Sequence, residues 1–217
     1  MDRPGIGIVI PALNESATIE EVVLAAGKYG QPIVVDDGST DGTGDLALKA
    51  AAIVVTHECN RGYDEAINSG FKKAFDSGFE LIITLDADGQ HDPTLIQKFI
   101  DGIYAGADVV VGKRNTRQRL AENIFAWYTK ISFGVSDPLC GMKAYRTSIY
   151  QSLGHFDSYG SVGTELMMFA AKNKYQLVEV PFVVQKRLGC SRFGTILSGN
   201  LKIFRALLLS FWRINKC

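Results

Sequence analysis

The chain has 217 residues, 47% of them hydrophobic and 21% charged, a composition that fits one domain with a packed core. Its 23 Lys and Arg balance its 23 Asp and Glu, so no net field draws it to nucleic acid. The four cysteines, Cys59, Cys140, Cys190 and Cys217, form no CxxC pair and no metal spacing, which argues against a disulfide scaffold or zinc site and fits a reducing, cytoplasmic compartment.

Apolar runs predict strands near 6–11, 32–36, 52–56, 80–85 and 107–112. They alternate with helical patterns near 16–28, 41–51, 63–77 and 93–104, the rhythm of βαβ units and a parallel sheet. The first strand starts so early that no apolar signal segment is expected before it. Ser16 with Glu20, and Ser39 or Thr40, read as helix starts, and Gly30 and Gly78 as helix stops. Further on, a helix near 119–133, a strand near 141–146, a helix near 162–174 and a strand near 176–184 lead into a loop over 185–198. The last segment, 201–217, is a basic helix with an apolar body. Lys202, Arg205, Arg213 and Lys216 share one side, and Ile203, Phe204, Leu207, Leu208, Phe211 and Trp212 fill the rest. Such a helix suits an anionic membrane surface, and equally it suits packing on the domain or on a partner subunit.

Three of the strands end in polar clusters: Leu13-Asn14-Glu15, Asp36-Asp37-Gly38-Ser39-Thr40-Asp41, and Asp86-Ala87-Asp88-Gly89-Gln90-His91. In an open parallel sheet, ligands bind beyond the carboxyl ends of the strands, so the three clusters converge on one site. Asp86, Asp88 and Gln90 offer the oxygen ligands that hard cations prefer, on the rigid end of a buried strand, which points to a metal and diphosphate site. The same acids would also cap a helix starting near Pro93.

These clusters, together with Asn60-Arg61-Gly62, the run Ser136-Asp137-Pro138-Leu139-Cys140-Gly141-Met142-Lys143, and Arg187-Leu188-Gly189-Cys190-Ser191-Arg192-Phe193, resemble the family 2 glycosyltransferases of the GT-A fold, nearest to the dolichol- or polyprenyl-phosphate hexosyltransferases. The resemblance covers nearly the whole chain. It implies a mostly parallel α/β sheet flanked by helices, in a single domain over 1–217. Residues 1–113 would form the nucleotide-sugar half, 114–200 a smaller acceptor side, and 201–217 the amphipathic helix. It implies a nucleoside-diphosphate-sugar donor, with Pro11, Leu13, Asn14 and Glu15 lining the nucleotide pocket and Asp37 at the edge of the base. Asp86, beside Ala87, would reach the nucleoside or sugar, while Asp88 and Gln90 would hold Mg²⁺ or Mn²⁺.

Arg114, Arg187 and Arg192 are the expected phosphate contacts; Arg192 stands where the resembling loop carries Lys, and Arg61 where the family often places Lys nearby. The implied acceptor is a lipid phosphate, already anionic and needing no strong base. A glycan or small-molecule hydroxyl acceptor would need one, for which Asp137 and Glu165 are the candidates, each reading equally as a structural residue that orients the Arg cluster. A third reading is a binding-only subunit that partners a membrane protein. The expected place of action is the cytosolic face of a membrane, peripherally attached.

Overall fold

The computed structural model describes residues 5–90, 92–117, 119–184 and 196–214. The chain runs β1 (Ile6–Ala12), α1 (Ile19–Ala26), β2 (Gln31–Asp36), α2 (Thr43–Lys49), β3 (Ile53–Thr56), α3 (Tyr63–Asp76), β4 (Leu81–Thr84) and α4 (Leu95–Tyr104). It continues with β5 (Val109–Arg114), α5 (Leu120–Phe133), β6 (Lys143–Arg146), α6 (Thr147–Leu153), α7 (Glu165–Lys172), β7 (Leu177–Phe182) and α8 (Ile196–Ile214).

The seven strands form one sheet in the order β3-β2-β1-β4-β6-β5-β7. Only β6 runs antiparallel to its neighbours, so the other six share one carboxyl edge, where Lys143 at the start of β6 stands opposite Thr84. Helices cover both faces, which is why β1, β2 and β4 read as continuous apolar runs rather than alternating ones. On one face, Ile19 and Val23 of α1, Ala47 of α2 and Phe99 of α4 pack on Ile8, Ile10 and Val34. On the other, Phe71 of α3, Phe125 of α5, Leu166 of α7 and Ile203 of α8 close over Val9, Ile82 and Tyr145. Gly70 lets α3 cross close to the sheet, because a Cβ there would meet the Val9 side chain.

Two expectations change. Helix α6 occupies residues for which the sequence pattern assigns no element; it is seven residues long, starts at once after β6, and stops at Gly154 with φ 85°. Helix α8 begins at Ile196, inside the stretch expected to be loop, and its first turns meet α5: the Ala121 N–H in the first turn of α5 donates to Asn200 Oδ1 at 3.1 Å. An amide that α5 cannot satisfy internally is thus capped from α8.

Candidate active site

The chain order turns at the β1/β4 boundary: from β1 it proceeds outward to β2 and β3, then returns to β4 on the other side. The carboxyl edge at such a switch point leaves a crevice, and here it opens into a cavity of about 910 Å³.

The donor edge is built from loops that hydrogen-bond to one another. Asn14, held at φ 50°, donates its N–H to Ser39 Oγ at 2.8 Å, and its Oδ1 accepts the Thr40 N–H at 2.8 Å. Glu15 N–H reaches Thr43 Oγ1, and Ser16 N–H reaches Asp41 Oδ2. Burial disfavours the Asp41 charge, but bonds from Thr43 and Ser16 more than offset it and hold its carboxyl at about 2. Pro11, Leu13 and Glu15 line the cavity, whereas Asn14 does not: its side chain ties the two loops together. Asp37 lines the cavity and is 4% exposed, with His57, Arg61 and Gly62 donating to its carboxylate.

Beyond β4, Thr84 Oγ1 donates to Gly141 O at 2.6 Å, and Thr18 Oγ1 donates to Ala87 O at 2.7 Å, so the acid–x–acid segment is gripped from both sides. A Cβ at Gly141 would collide with the Asp86 carboxylate, so this loop is shaped to admit an acid. Asp88 is 6% exposed and its Oδ1 accepts the Gln90 N–H; Asp86, Ala87, Asp88 and Gln90 all line the cavity. Among the described residues, no three His, Cys, Asp or Glu side chains stand close enough to cage a metal. That suits a hard ion held by one or two carboxylates plus substrate phosphates, the usual way Mg²⁺ is bound. The oxygen donors of Asp86, Asp88 and Gln90 on the cavity lining fit such an ion. His91, Arg187 and Arg192 lie outside the described residues.

Basic residues line the cavity as well. Arg114, at the end of β5, clamps Asp137 with Nε and Nη2, both at 2.8 Å, and reaches Glu122 at 3.2 Å; Arg119 bonds the same Glu122. Glu179 of β7 accepts the Asp137 N–H and so holds that loop. Asp137 is 1% exposed and Glu165 bonds Ser158, His155 and Arg213; neither lines the cavity. Their acceptor capacity serves neighbouring loops, which is the structural alternative to a proton-accepting role. Arg117 donates to Ser136 O, while Arg114 and Arg119 line the cavity with Lys202 and Arg205 of α8.

Several cavity residues escape the sequence reading. Asp64, at the start of α3, accepts the Gly163 N–H, and burial together with the Asp157 charge pushes its carboxyl up to about 6. Lys143 donates to Gly163 O at 2.9 Å, and burial lowers its ammonium to about 8. The Gly163 peptide is thus held at both ends, behind Val162 with φ 56°, a strained value for a β-branched residue. Asp157, 4% exposed, ties the same loop through the N–H groups of Tyr159, Gly160 and Ser161. Cys140 is a buried thiol pushed up to about 12, first by burial and then by Asp137, and is no nucleophile. Only the basic character of Lys143 and the position of Asp64 beside Asn60-Arg61-Gly62 offered a signal for these roles.

A doubly wound sheet that presents an acid–x–acid pair at its switch point, under a cavity of nucleotide-sugar size, defines the GT-A class of glycosyltransferases. The chain belongs to glycosyl transferase family 2, whose profile matches residues 7–158, and it is a glycosyltransferase. It is 30% identical over 216 residues to polyprenol monophosphomannose synthase of Mycolicibacterium smegmatis, covering 86% of this chain and 80% of that protein. Glucosyl-3-phosphoglycerate synthase from Mycobacterium tuberculosis, in complex with Mn²⁺, UDP and glucosyl-3-phosphoglycerate, matches with TM-score 0.77 and 21% identity, over 97% of this chain and 80% of that one. A mannosyltransferase from Pyrobaculum calidifontis, in complex with GDP-Man and Mn²⁺, matches with TM-score 0.72 and 17% identity, over 99% and 65%. These two likenesses establish the shared fold.

Proposed function

We propose that the chain moves a hexose from a nucleoside-diphosphate sugar to a polyprenyl phosphate, with inversion at the anomeric carbon. The observation that carries this reading is that one cavity is lined both by Asp86 and Asp88 at the switch point and by Arg114, Arg119, Lys202 and Arg205. Asp88 and Gln90 would hold Mg²⁺ or Mn²⁺, which would neutralise charge developing on the departing diphosphate. Pro11, Leu13 and Glu15 receive the nucleoside, and Asp86 orients it or the sugar. The basic residues gather the acceptor phosphate, whose oxygen is already anionic, so attack needs no base from the protein. Arg187 and Arg192 belong to this reading as phosphate contacts. Support comes from the polyprenol-phosphate relative and from the Mn²⁺ and nucleotide complexes of the structural neighbours.

A lipid acceptor also accounts for a surface that an ordinary globular protein avoids. Leu120, Ile124, Trp127 and Ile131 form one stripe on α5, with Trp127 68% exposed; beside it α8 exposes Leu201, Leu208, Phe211 and Trp212. The two helices lie side by side and run the same way, since Ala121 meets Asn200 and Tyr128 meets Phe211. The acid of α5, Glu122, is buried, α8 carries none over 196–214, and Lys130, Lys202 and Arg205 are exposed. An apolar face with tryptophans and a basic fringe fits an anionic membrane surface. No described helix is long and apolar enough to cross a membrane, so attachment would be peripheral. Ile203, Ala206 and Ser210 of the last helix are buried on the domain, and on this reading its opposite, outward side would meet the membrane.

A hydroxyl acceptor is the second reading, and Asp64 favours it, as a cavity carboxyl raised to about 6. Transfer of labelled hexose from GDP-mannose and UDP-glucose to polyprenyl phosphate in vesicles, with and without chelator, tests the proposal. Chelator-sensitive transfer to the lipid supports it. Transfer only to hydroxyl acceptors, lost in Asp64→Asn and below pH 6, would replace it with the second reading.

A further inference from the structure

His57 has no part in the chemistry proposed above, yet every polar atom of its ring is engaged. It follows β3, is 5% exposed, and its N–H extends the ladder to Asp36 O at 2.9 Å. Its Nδ1 lies 2.7 Å from Asp37 Oδ1, and its Nε2 lies 2.9 Å from Ser69 Oγ on α3. An ionised carboxylate only accepts, so Nδ1 carries a proton, and Nε2 meets a hydroxyl that can donate or accept.

The distances resemble those of a nucleophilic Ser–His–Asp chain, but the order is reversed with respect to the ligand space. Asp37 lines the cavity and Ser69 does not, so the chain ends at the ligand as a carboxylate, with the hydroxyl as its anchor. Asp37 also accepts the Arg61 and Gly62 N–H groups, each at 2.9 Å, and Gly62 sits at φ 95° immediately before α3. Three of the roughly four acceptor positions of that carboxylate are therefore used, one by His57 and two to hold the turn carrying Arg61, Tyr63 and Asp64 to the cavity wall.

We propose that His57 is a positioning residue for the donor nucleotide: by fixing Asp37 between the imidazole and two main-chain N–H groups, it sets the Arg61–Gly62 turn against which the nucleotide binds. The proposal rests on the nucleotide-sugar reading of the cavity.

Two substitutions separate the links. The side-chain amide of Asn falls near the position of Nδ1 and keeps the bond to Asp37; that of Gln falls near Nε2 and keeps only the bond to Ser69. Whichever of GDP or UDP binds the wild-type chain with Mn²⁺ is titrated into His57→Asn and His57→Gln, alongside thermal melts. Gln is expected to weaken binding about tenfold by leaving a buried carboxylate short of a donor, and Asn by less than about threefold. Equal weakening by both, tracking a shared fall in Tm, would make His57 core filling and overturn the proposal. If neither nucleotide binds the wild type, the donor reading fails, and hydrogen exchange then decides the positioning claim. Faster exchange at Arg61 and Gly62 in Gln but not Asn upholds it; the same rates in both variants overturn it.

Discussion

The donor and acceptor sides of the cavity hold their shape by different means. On the donor side, side chains and main chain of short loops at strand ends bind one another, as in Asn14 with Ser39 and Thr40 or Asp37 with Arg61 and Gly62, leaving the acid–x–acid segment pinned by Thr84 and Thr18. On the acceptor side, buried charges carry the architecture: Arg114 with Asp137 and Glu122, Asp157 within its own loop, Lys143 and Asp64 on one peptide. Asp88 can therefore be removed at little cost to folding, whereas removing Arg114 leaves the buried Asp137 carboxylate without its paired cation.

The sharpest way to break that contrast is Asp88→Ala. We expect turnover to fall on the order of a thousandfold, through lost stabilisation of the leaving diphosphate, with Tm nearly unchanged. A large drop in Tm would mean that the donor edge is structural after all. Arg114→Ala should do the opposite and lose roughly 3–5 kcal/mol of stability in urea unfolding, because the Asp137 carboxylate, 1% exposed, then loses the cation paired with it. Retained stability with lost transfer would move Arg114 into the chemistry alone.

Leu208→Glu combined with Trp212→Glu alters neither side. Association with anionic vesicles should fall at least about tenfold, since two apolar side chains would otherwise leave water, while nucleotide affinity stays as it was. Unchanged vesicle association would assign that face another role.

The smallest effect concerns Asp64. Its carboxyl is raised in the folded chain above the ordinary 3.8, to about 6, chiefly by burial, so it favours folding when protonated below pH 4 and loses that contribution as pH rises through 6. Asp64→Asn should therefore raise Tm relative to wild type at pH 8, by an amount worth about 1–3 kcal/mol, with the difference vanishing near pH 4. A difference that does not depend on pH would show that this carboxyl is not buried against Asp157.

What was legible in the sequence follows the same division. The strands before Asp37 and Asp86 announce themselves as apolar runs cut off by acids, and their placement at one edge follows from βαβ handedness alone. The swing of α6, the early start of α8 and the clamp on Gly163 depend on contacts between segments far apart in the chain: Lys143 with Gly163, Asp64 with Gly163, Ala121 with Asn200. No local pattern encodes these. Asp137 shows the limit most plainly. A carboxylate in a Pro- and Gly-containing loop reads as well for a base as for a tether, and the guanidinium of Arg114 laid across it is a contact that no local pattern announces.

The central claim is a metal-assisted nucleotide site at the β1/β4 switch point. Isothermal titration of GDP and UDP into the folded chain, each with and without Mn²⁺, tests it most directly. The account predicts that one nucleotide binds, that Mn²⁺ tightens its binding, and that Asp88→Ala abolishes the tightening. Binding of neither nucleotide, or binding indifferent to Mn²⁺ and to Asp88, would contradict it.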